Sequence, residues 1–487
     1  MEYYREEKMF INGEEVESVS GRWIDVENPS RLGTLAGKVP RANAEDVNLA
    51  VEAAAAALPA WKAMPARERG ALLLKIADEL EKIREEIAYT VASENGNAIR
   101  TQSRGESKGT VDLFRYYAGL GTELKGTTYP GPDGLFRYTY RAPVGVVAAI
   151  VPWNSPIQLT AGKMGAALIA GNTFILKVAS DAPLGAMMVA KTAGRLLPPG
   201  VVNVISGPGS ECGDALLQHP KLNKVSFTGS TEVGKSVLTR AAAQVINSTM
   251  ELGGKNPQIV FPDVDMDKIG GQLLGGTRIS RQGQSCTSGA NVYIHRSIFD
   301  ECVAELADAA SKLKIGDACD EENDMGAMTN RAQYDKVIAY IEKAMAEPGT
   351  KLVTGGLPPK DGPLSEGLYL LPTIFTCEGN SSILAKDEVF GPVICCIPWD
   401  TEEEVLALAN ETRYGLAGFV WTADVAHGIE FGEKIEAGWV QVNTAGGQIG
   451  GHPYGGVKES GLGREYCLEG MLESFTELKA MIVNLKH

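Results

Sequence analysis

The sequence predicts an α/β protein whose sheets are mostly parallel, and three observations carry that prediction. From Gly145 onward short β-rich runs alternate with helical stretches: "AAIVPW", "IQLTAGKMGAALIAG", "TFILKV", "PLGAMMVAKTAGRLL", "VVNVISG", "CGDALLQHP" and "KVSFTG". Such βαβ alternation implies a parallel sheet covered on both faces, with ligands held beyond the carboxyl ends of its strands. A second α/β series follows "QIVF", with helices near 297–313 and 331–345. Finally, 487 residues with 44% hydrophobic and 22% charged side chains suffice for two to four domains with large cores.

The elements follow in order. "FINGEEVES" alternates apolar and polar residues about Asn12-Gly13 and reads as a hairpin. Helices are expected near 44–57 and 66–91, the second stopping near Asn95-Gly96. The alanine run 53–57 is a helix former rather than low complexity. "TTYPGPDGLFRYTYRAP" is rich in Gly, Pro and Tyr and suits an extended arm or hairpin.

The charge sum of −15 and the lack of a basic stripe argue against nucleic acid as a partner. Eight cysteines are scattered without C-x₂-C spacing, and Cys395 adjoins Cys396, which suits reduced thiols and a cytoplasmic location. "MEYYREEKMF" carries charge where a signal peptide needs an apolar core. The apolar run from Ala142 to Trp153 is too short for a bilayer, so no membrane association is expected.

Several motifs compete for the chemistry. Gly229 to Ser236 reads G-S-T-E-V-G-K-S, a literal P-loop, between a predicted strand and a predicted helix, so a nucleotide hydrolase is an alternative. Its plainer reading is a strand-to-helix turn whose free N–H groups meet any phosphate. The stretch 207–213 has one residue too many for a G-x-G-x-x-G fingerprint. Gly105 to Gly109 fits G-x-S-x-G, but no strand precedes it to build a nucleophile elbow. The histidines at 219, 295, 427, 452 and 487 are not paired at ligand spacing, and no metal site is expected.

Cys286 differs in kind. It lies in "SRQGQSCTSG", dense in Gly, Ser and Gln, whereas a structural cysteine normally sits in an apolar run. A nucleophilic thiol needs a base. With no histidine nearby in sequence, Glu251 in "MELGGKNP" is the candidate, and its flanking glycines permit close approach of chain or ligand.

Taken together, "VPWNSP" at 151–156, "LKVAS" at 176–180, "SFTGSTEVGK" at 226–235, "MELGGKNP" at 250–257, "GQSCTSG" at 283–289, "EVFGPV" at 388–393 and "PYGGVKESGLGRE" at 453–465 resemble the aldehyde dehydrogenase superfamily, in its non-acylating branch. The likeness runs nearly end to end and in family order. It absorbs the P-loop match, because the family carries the same phrase as the turn that meets its dinucleotide. It implies a Rossmann-like cofactor domain (1–122 and 143–252), an α/β catalytic domain (253–459), and a small β arm (123–142 and 460–487) that joins subunits into homodimers or homotetramers.

By this resemblance Cys286 attacks the aldehyde carbonyl, the Asn154 amide and the Cys286 N–H hold the oxyanion, and Glu251 activates the water that hydrolyses the thioester. Lys163 and Glu465 match positions that some members use to relay protons or to position groups. A purely structural ion pair is the alternative. The cofactor is assigned to Ile150, Val151, Pro152, Trp153, Lys177, Ser180, Gly209, Gly229, Ser230, Val233, Leu252, Glu388 and Phe390, with Lys177 and Glu388 on the two riboses.

Ser180 stands where many NAD-preferring members carry Glu. A carboxylate about 4 Å from a 2′-phosphate would repel it by roughly 4 kcal/mol at an effective dielectric of 20, so NADP is expected to be accepted beside NAD and even preferred. Around the aldehyde channel, Ser155, Gly162, Gly446 and Gly447 replace the bulky side chains of many relatives. Gln158, Ser285, Thr287 and Gln448 lie near. The expectation is a roomy, partly polar pocket for a bulky aromatic or long-chain aldehyde. A semialdehyde or a small aliphatic aldehyde is the alternative.

Overall fold

The computed structural model describes residues 4–486, so Met1–Tyr3 of the leader reading and His487 of the histidine reading lie outside the described residues. The predicted hairpin forms from Met9–Ile11 and Glu14–Val16. Asn12 and Gly13 both take positive φ (54° and 87°), as a two-residue turn matched to strand twist requires. Two elements differ from expectation. Trp23–Glu27 pairs antiparallel with Leu35–Pro40, a strand not legible in "LAGKVP", in a separate three-stranded sheet with Arg5–Glu6. The predicted helix 66–91 divides at Ile83 into Ala66–Lys82 and Arg84–Asn95, because Ile83 leaves helical backbone (φ −107°, ψ 12°). The second half stops where predicted, on Gly96 at φ 78°.

The βαβ alternation builds an eight-stranded sheet. Its parallel centre runs Asn247–Glu251, Lys224–Thr228, Val146–Ile150, Thr173–Val178, Val202–Ser206. The chain leaves Val146–Ile150 in one direction and returns to its other side with Lys224–Thr228. Ile150 and Gly229 therefore flank the crevice where strand order reverses, the place such sheets reserve for ligands. Helix Pro156–Ala170 is buried at every residue, which is why it is written in Ala, Gly and Leu. A Cβ on Gly165 would stand 2.6 Å from the Tyr117 ring.

The second series forms a seven-stranded sheet, parallel except where Thr350–Thr354 pairs antiparallel with Thr373–Cys377. A fourth sheet joins Thr128–Tyr129, Leu135–Pro143 and Thr476–Asn484. The last two pair over nine positions, from Thr476 opposite Pro143 to Asn484 opposite Leu135. Residues 460–475, expected in the arm, do not join it. Gly461–Leu462 extends the eight-stranded sheet beside Asn247–Glu251, and helix Leu468–Phe475 lies between that pairing and the arm strand. The hydrogen bonds of Gly461 to the strand carrying Glu251 decided this, and no periodicity announces them. Among the described residues, no helix is long and apolar enough to cross a membrane.

Candidate active site

A cavity of about 290 Å³ opens at the strand-order reversal, between the two large sheets, and Cys286, Glu251 and Asn154 all line it. Glu251 ends strand Asn247–Glu251, and its neighbour Gly229 donates its N–H to the Glu251 carbonyl at 3.1 Å. Cys286 sits in a tight loop. Arg278, Gln282 and Gly283 all take positive φ, and a Cβ on Gly283 would stand 2.1 Å from the Gly391 carbonyl. Asn256 Nδ2 donates to the carbonyls of Cys286 (2.8 Å) and Ser288 (2.9 Å). A Cβ on Gly254 would fall 2.3 Å from the Cys286 oxygen. The segment "ELGGKNP" thus supplies Glu251 and also the seat for the cysteine loop.

The polar groups are poised and under-satisfied. The Glu251 carboxyl is 2% exposed, and neither oxygen meets a donor among the described residues. Burial, with the Glu465 carboxylate adding to it, holds Glu251 well above the ordinary carboxyl range. Asn154 Nδ2 gives one hydrogen to the Gln284 carbonyl at 2.9 Å, which leaves the second free. Its backbone carbonyl accepts from Asn97 Nδ2 at 3.2 Å. The Cys286 N–H donates to no acceptor among the described residues. Burial pushes the Cys286 thiol up to about 11, opposed by a Tyr454 hydroxyl 3.4 Å from Sγ.

Behind Glu251, Lys163 Nζ meets Glu465 Oε1 at 2.6 Å and Ser226 Oγ at 3.0 Å, with both charged side chains buried. This pairing is compatible with a structural role and with proton relay alike, and one Glu465 oxygen remains unpartnered among the described residues.

Of the residues assigned to the dinucleotide, Pro152, Trp153, Gly229, Ser230, Leu252, Glu388 and Phe390 line the same cavity. Ile150, Lys177, Gly209 and Val233 line a second one of about 430 Å³. Val151 and Ser180 line neither. Val151 is buried and continues the strand by donating to the Lys177 carbonyl at 3.3 Å. Ser180 lies two residues beyond strand Thr173–Val178. Ser230 caps helix Thr231–Gln244, accepting from the Val233 N–H at 3.4 Å, so an N-terminus faces the crevice. Gly209 has open space where a Cβ would stand. Glu388 accepts from the Gly254 N–H at 2.9 Å and is raised to about 7 by burial. Phe390 takes φ 59°, a costly conformation for a bulky side chain, and turns its ring edge-on to Trp153 at 5.5 Å. A helix N-terminus, an open glycine, a buried lysine and a carboxylate fit the phosphates and riboses of a dinucleotide. Lys235, the lysine of the P-loop match, instead pairs with Glu459 at 3.0 Å on the surface and lines neither cavity. Gly105 to Gly109 lies within helix Arg104–Ala118, with no elbow.

The aldehyde side corrects which of the expected residues bound the pocket. Ser155, Ser285 and Gln448 line the cavity, whereas Gln158, Gly162 and Thr287 do not. Gly162 opens no space, because its missing side chain is replaced by the Tyr466 ring, 3.1 Å from where a Cβ would stand. Gln158 Nε2 is engaged with the Gln448 carbonyl at 3.4 Å, and Thr287 Oγ1 accepts from Arg278 Nε at 3.3 Å. Gly446 and Gly447 also lie outside the lining. Sequence reasoning missed Tyr454, Tyr466 and Arg281, which do line it. The tyrosines flank the "GGVKESGLGRE" run and Arg281 lies five residues before Cys286, a proximity to motifs that was the available signal.

A parallel sheet with its crevice at the order reversal, meeting a cysteine loop and a buried carboxylate from two different sheets, defines a dinucleotide-dependent enzyme with a thiol at its centre. Comparison with known proteins agrees. Residues 16–481 match the aldehyde dehydrogenase family. The chain is 37% identical over 486 residues to an aldehyde dehydrogenase of Enchytraeus buchholzi, covering 98% of this chain and 95% of the relative. It superposes on the NAD⁺ complex of a Bacillus cereus aldehyde dehydrogenase with TM-score 0.94 at 37% identity, over 99% and 97% of the two chains. An NADP-dependent enzyme of E. coli matches with TM-score 0.94 at 34% identity, over 99% and 98%. The chain belongs to the aldehyde dehydrogenase family and is an NAD(P)-dependent oxidoreductase acting on aldehydes.

Proposed function

We propose that the protein oxidises a bulky, uncharged aromatic or long-chain aldehyde to its acid through a covalent adduct on Cys286. The observation that carries this reading is the shared cavity of Cys286, Glu251 and Asn154, with aromatic walls from Trp153, Tyr454 and Tyr466. Cys286 gives up its thiol proton to solvent, and the thiolate sulfur adds to the carbonyl carbon. The developing oxyanion takes the free Asn154 N–H and the unengaged Cys286 N–H. When bound, the nicotinamide supplies a two-electron acceptor that leaves a thioester on the cysteine. Glu251, with no competing donor on either oxygen, takes a proton from water as that water attacks the thioester, and the carboxylic acid departs as the Cys286 thiolate is released. Lys163 and Glu465 offer the proton a route away from Glu251.

Ser180 supports use of NADP alongside NAD, since no carboxylate there opposes a 2′-phosphate. The arm sheet, with Leu478, Ile482 and Phe136 exposed, supports assembly into dimers or tetramers. Arg281 favours a second reading, a semialdehyde whose carboxylate it meets, although the buried Glu106 carboxyl lies 3.9 Å from it. Reduced-nicotinamide absorbance with NAD⁺ or NADP⁺ and a panel of small, carboxylated, aromatic and long-chain aldehydes tests all of this, with Cys286→Ala as control. Activity surviving in the control would overturn the adduct. Carboxylated or small aldehydes outrunning aromatic ones in kcat/KM would overturn the pocket reading.

A further inference from the structure

Tyr454 is buried, 2% exposed, and its hydroxyl stands 3.4 Å from the Cys286 sulfur. Its ring is locked edge-on between Trp439 (5.5 Å) and Tyr466 (5.6 Å), so the hydroxyl has little freedom to leave the sulfur. The Gln448 side chain hydrogen-bonds the same phenol as a donor, which leaves the phenolic hydrogen available to the sulfur. We propose that Tyr454 is a catalytic residue whose phenol donates a hydrogen bond to the Cys286 thiolate and to the sulfur as it forms and releases the carbonyl adduct. The proposal rests on Cys286 being the nucleophile.

The electrostatics explain why such a donor is needed. The charged groups facing Cys286 come from several elements. Glu251, from the eight-stranded sheet, and Glu388, from the loop before strand Val393–Trp399, both disfavour a thiolate. Arg281 favours it, and Arg278 faces it while binding the Ala445 and Gly446 carbonyls at 2.6 and 2.9 Å. Burial of the thiol is the largest of these effects, and it too disfavours the thiolate. Among the described residues Tyr454 provides the one side-chain hydrogen bond made to Sγ. A thiolate can only accept, and the phenol is held protonated far above its ordinary range, so the donor direction is fixed once the sulfur ionises.

The test is the pH profile of alkylation at Cys286 by iodoacetamide, read by peptide mass spectrometry in the cofactor-free protein. Tyr454→Phe is expected to move the profile to higher pH and to slow alkylation about tenfold at a fixed pH below the midpoint, the size of one hydrogen bond to a charged group. kcat/KM should fall in step, while NAD(P) binding is retained. Gln448→Leu should shift the profile in the same direction by less, and this second variant decides the matter if Tyr454→Phe loses cofactor binding. An unmoved profile in Tyr454→Phe with binding intact would overturn the proposal. Cys286→Ala separates the two levels: full activity there removes the nucleophile reading, whereas an inactive Cys286→Ala beside an unmoved Tyr454→Phe profile removes the tyrosine alone.

Discussion

Replacing Glu251 by Gln asks whether its carboxylate acts only after the cysteine has been acylated. Neither Glu251 oxygen is hydrogen-bonded among the described residues, so the amide breaks no existing contact and matches the shape of the side chain. The packing cost is accordingly small, and what is lost is proton abstraction from water. That role is worth about 10²- to 10⁴-fold, or roughly 3 to 5 kcal/mol of barrier at 1.36 kcal/mol per tenfold. Stopped-flow absorbance of reduced nicotinamide should show a burst approaching one equivalent per Cys286, followed by a steady state slower by that factor. The sign of the pH dependence follows from burial. Glu251 is held well above the ordinary carboxyl range and works only when deprotonated, so wild-type turnover limited by deacylation should keep rising with pH beyond where an exposed glutamate has saturated. The Gln variant should lose that limb. A steady state within tenfold of wild type would refute the assignment, as would loss of the burst in a variant whose Cys286 still alkylates normally.

Asn154→Ala removes one oxyanion donor and should lower kcat by about 10²- to 10³-fold with little change in cofactor affinity, checked by steady-state kinetics and cofactor titration. Ser180→Glu should cut kcat/KM for NADP far more than for NAD, by up to roughly 4 kcal/mol before screening, and equal effects on both would contradict the ribose placement. Lys163→Met leaves the buried Glu465 unpaired and should destabilise the fold by about 3 to 5 kcal/mol, whereas the double variant with Glu465→Leu should recover part of that loss in thermal unfolding. Gly162→Ala drives a methyl to 3.1 Å from the Tyr466 ring and should cost about 1 to 3 kcal/mol of stability and perturb activity. An unchanged Tm and kcat/KM would mean that Tyr466 moves freely.

Much of this molecule is written locally. The βαβ alternation, the Asn12-Gly13 turn and the helix stop at Gly96 follow from periodicity and from residues that tolerate positive φ. Cys286 stands out because a cysteine in Gly- and Ser-rich surroundings is unlike a core residue, Glu251 because its flanking glycines permit close approach, and Asn154 through the resemblance that the order of the motifs carries. Ser180 drew notice only against the resemblance, as a serine where many NAD-preferring members carry Glu. The sequence could not place residues 460–475, because Gly461 joins the sheet through backbone hydrogen bonds to a strand some two hundred positions earlier, and such bonds leave no side-chain pattern. Nor could it foresee that Gly162 makes room for Tyr466 rather than for substrate. A glycine records only that a side chain is absent, and what fills the space is settled by whichever distant ring the fold brings there. The contact between Tyr454 and Cys286 is of the same kind: 168 positions separate them, and only the packing of one sheet's loop against the other brings hydroxyl and sulfur together.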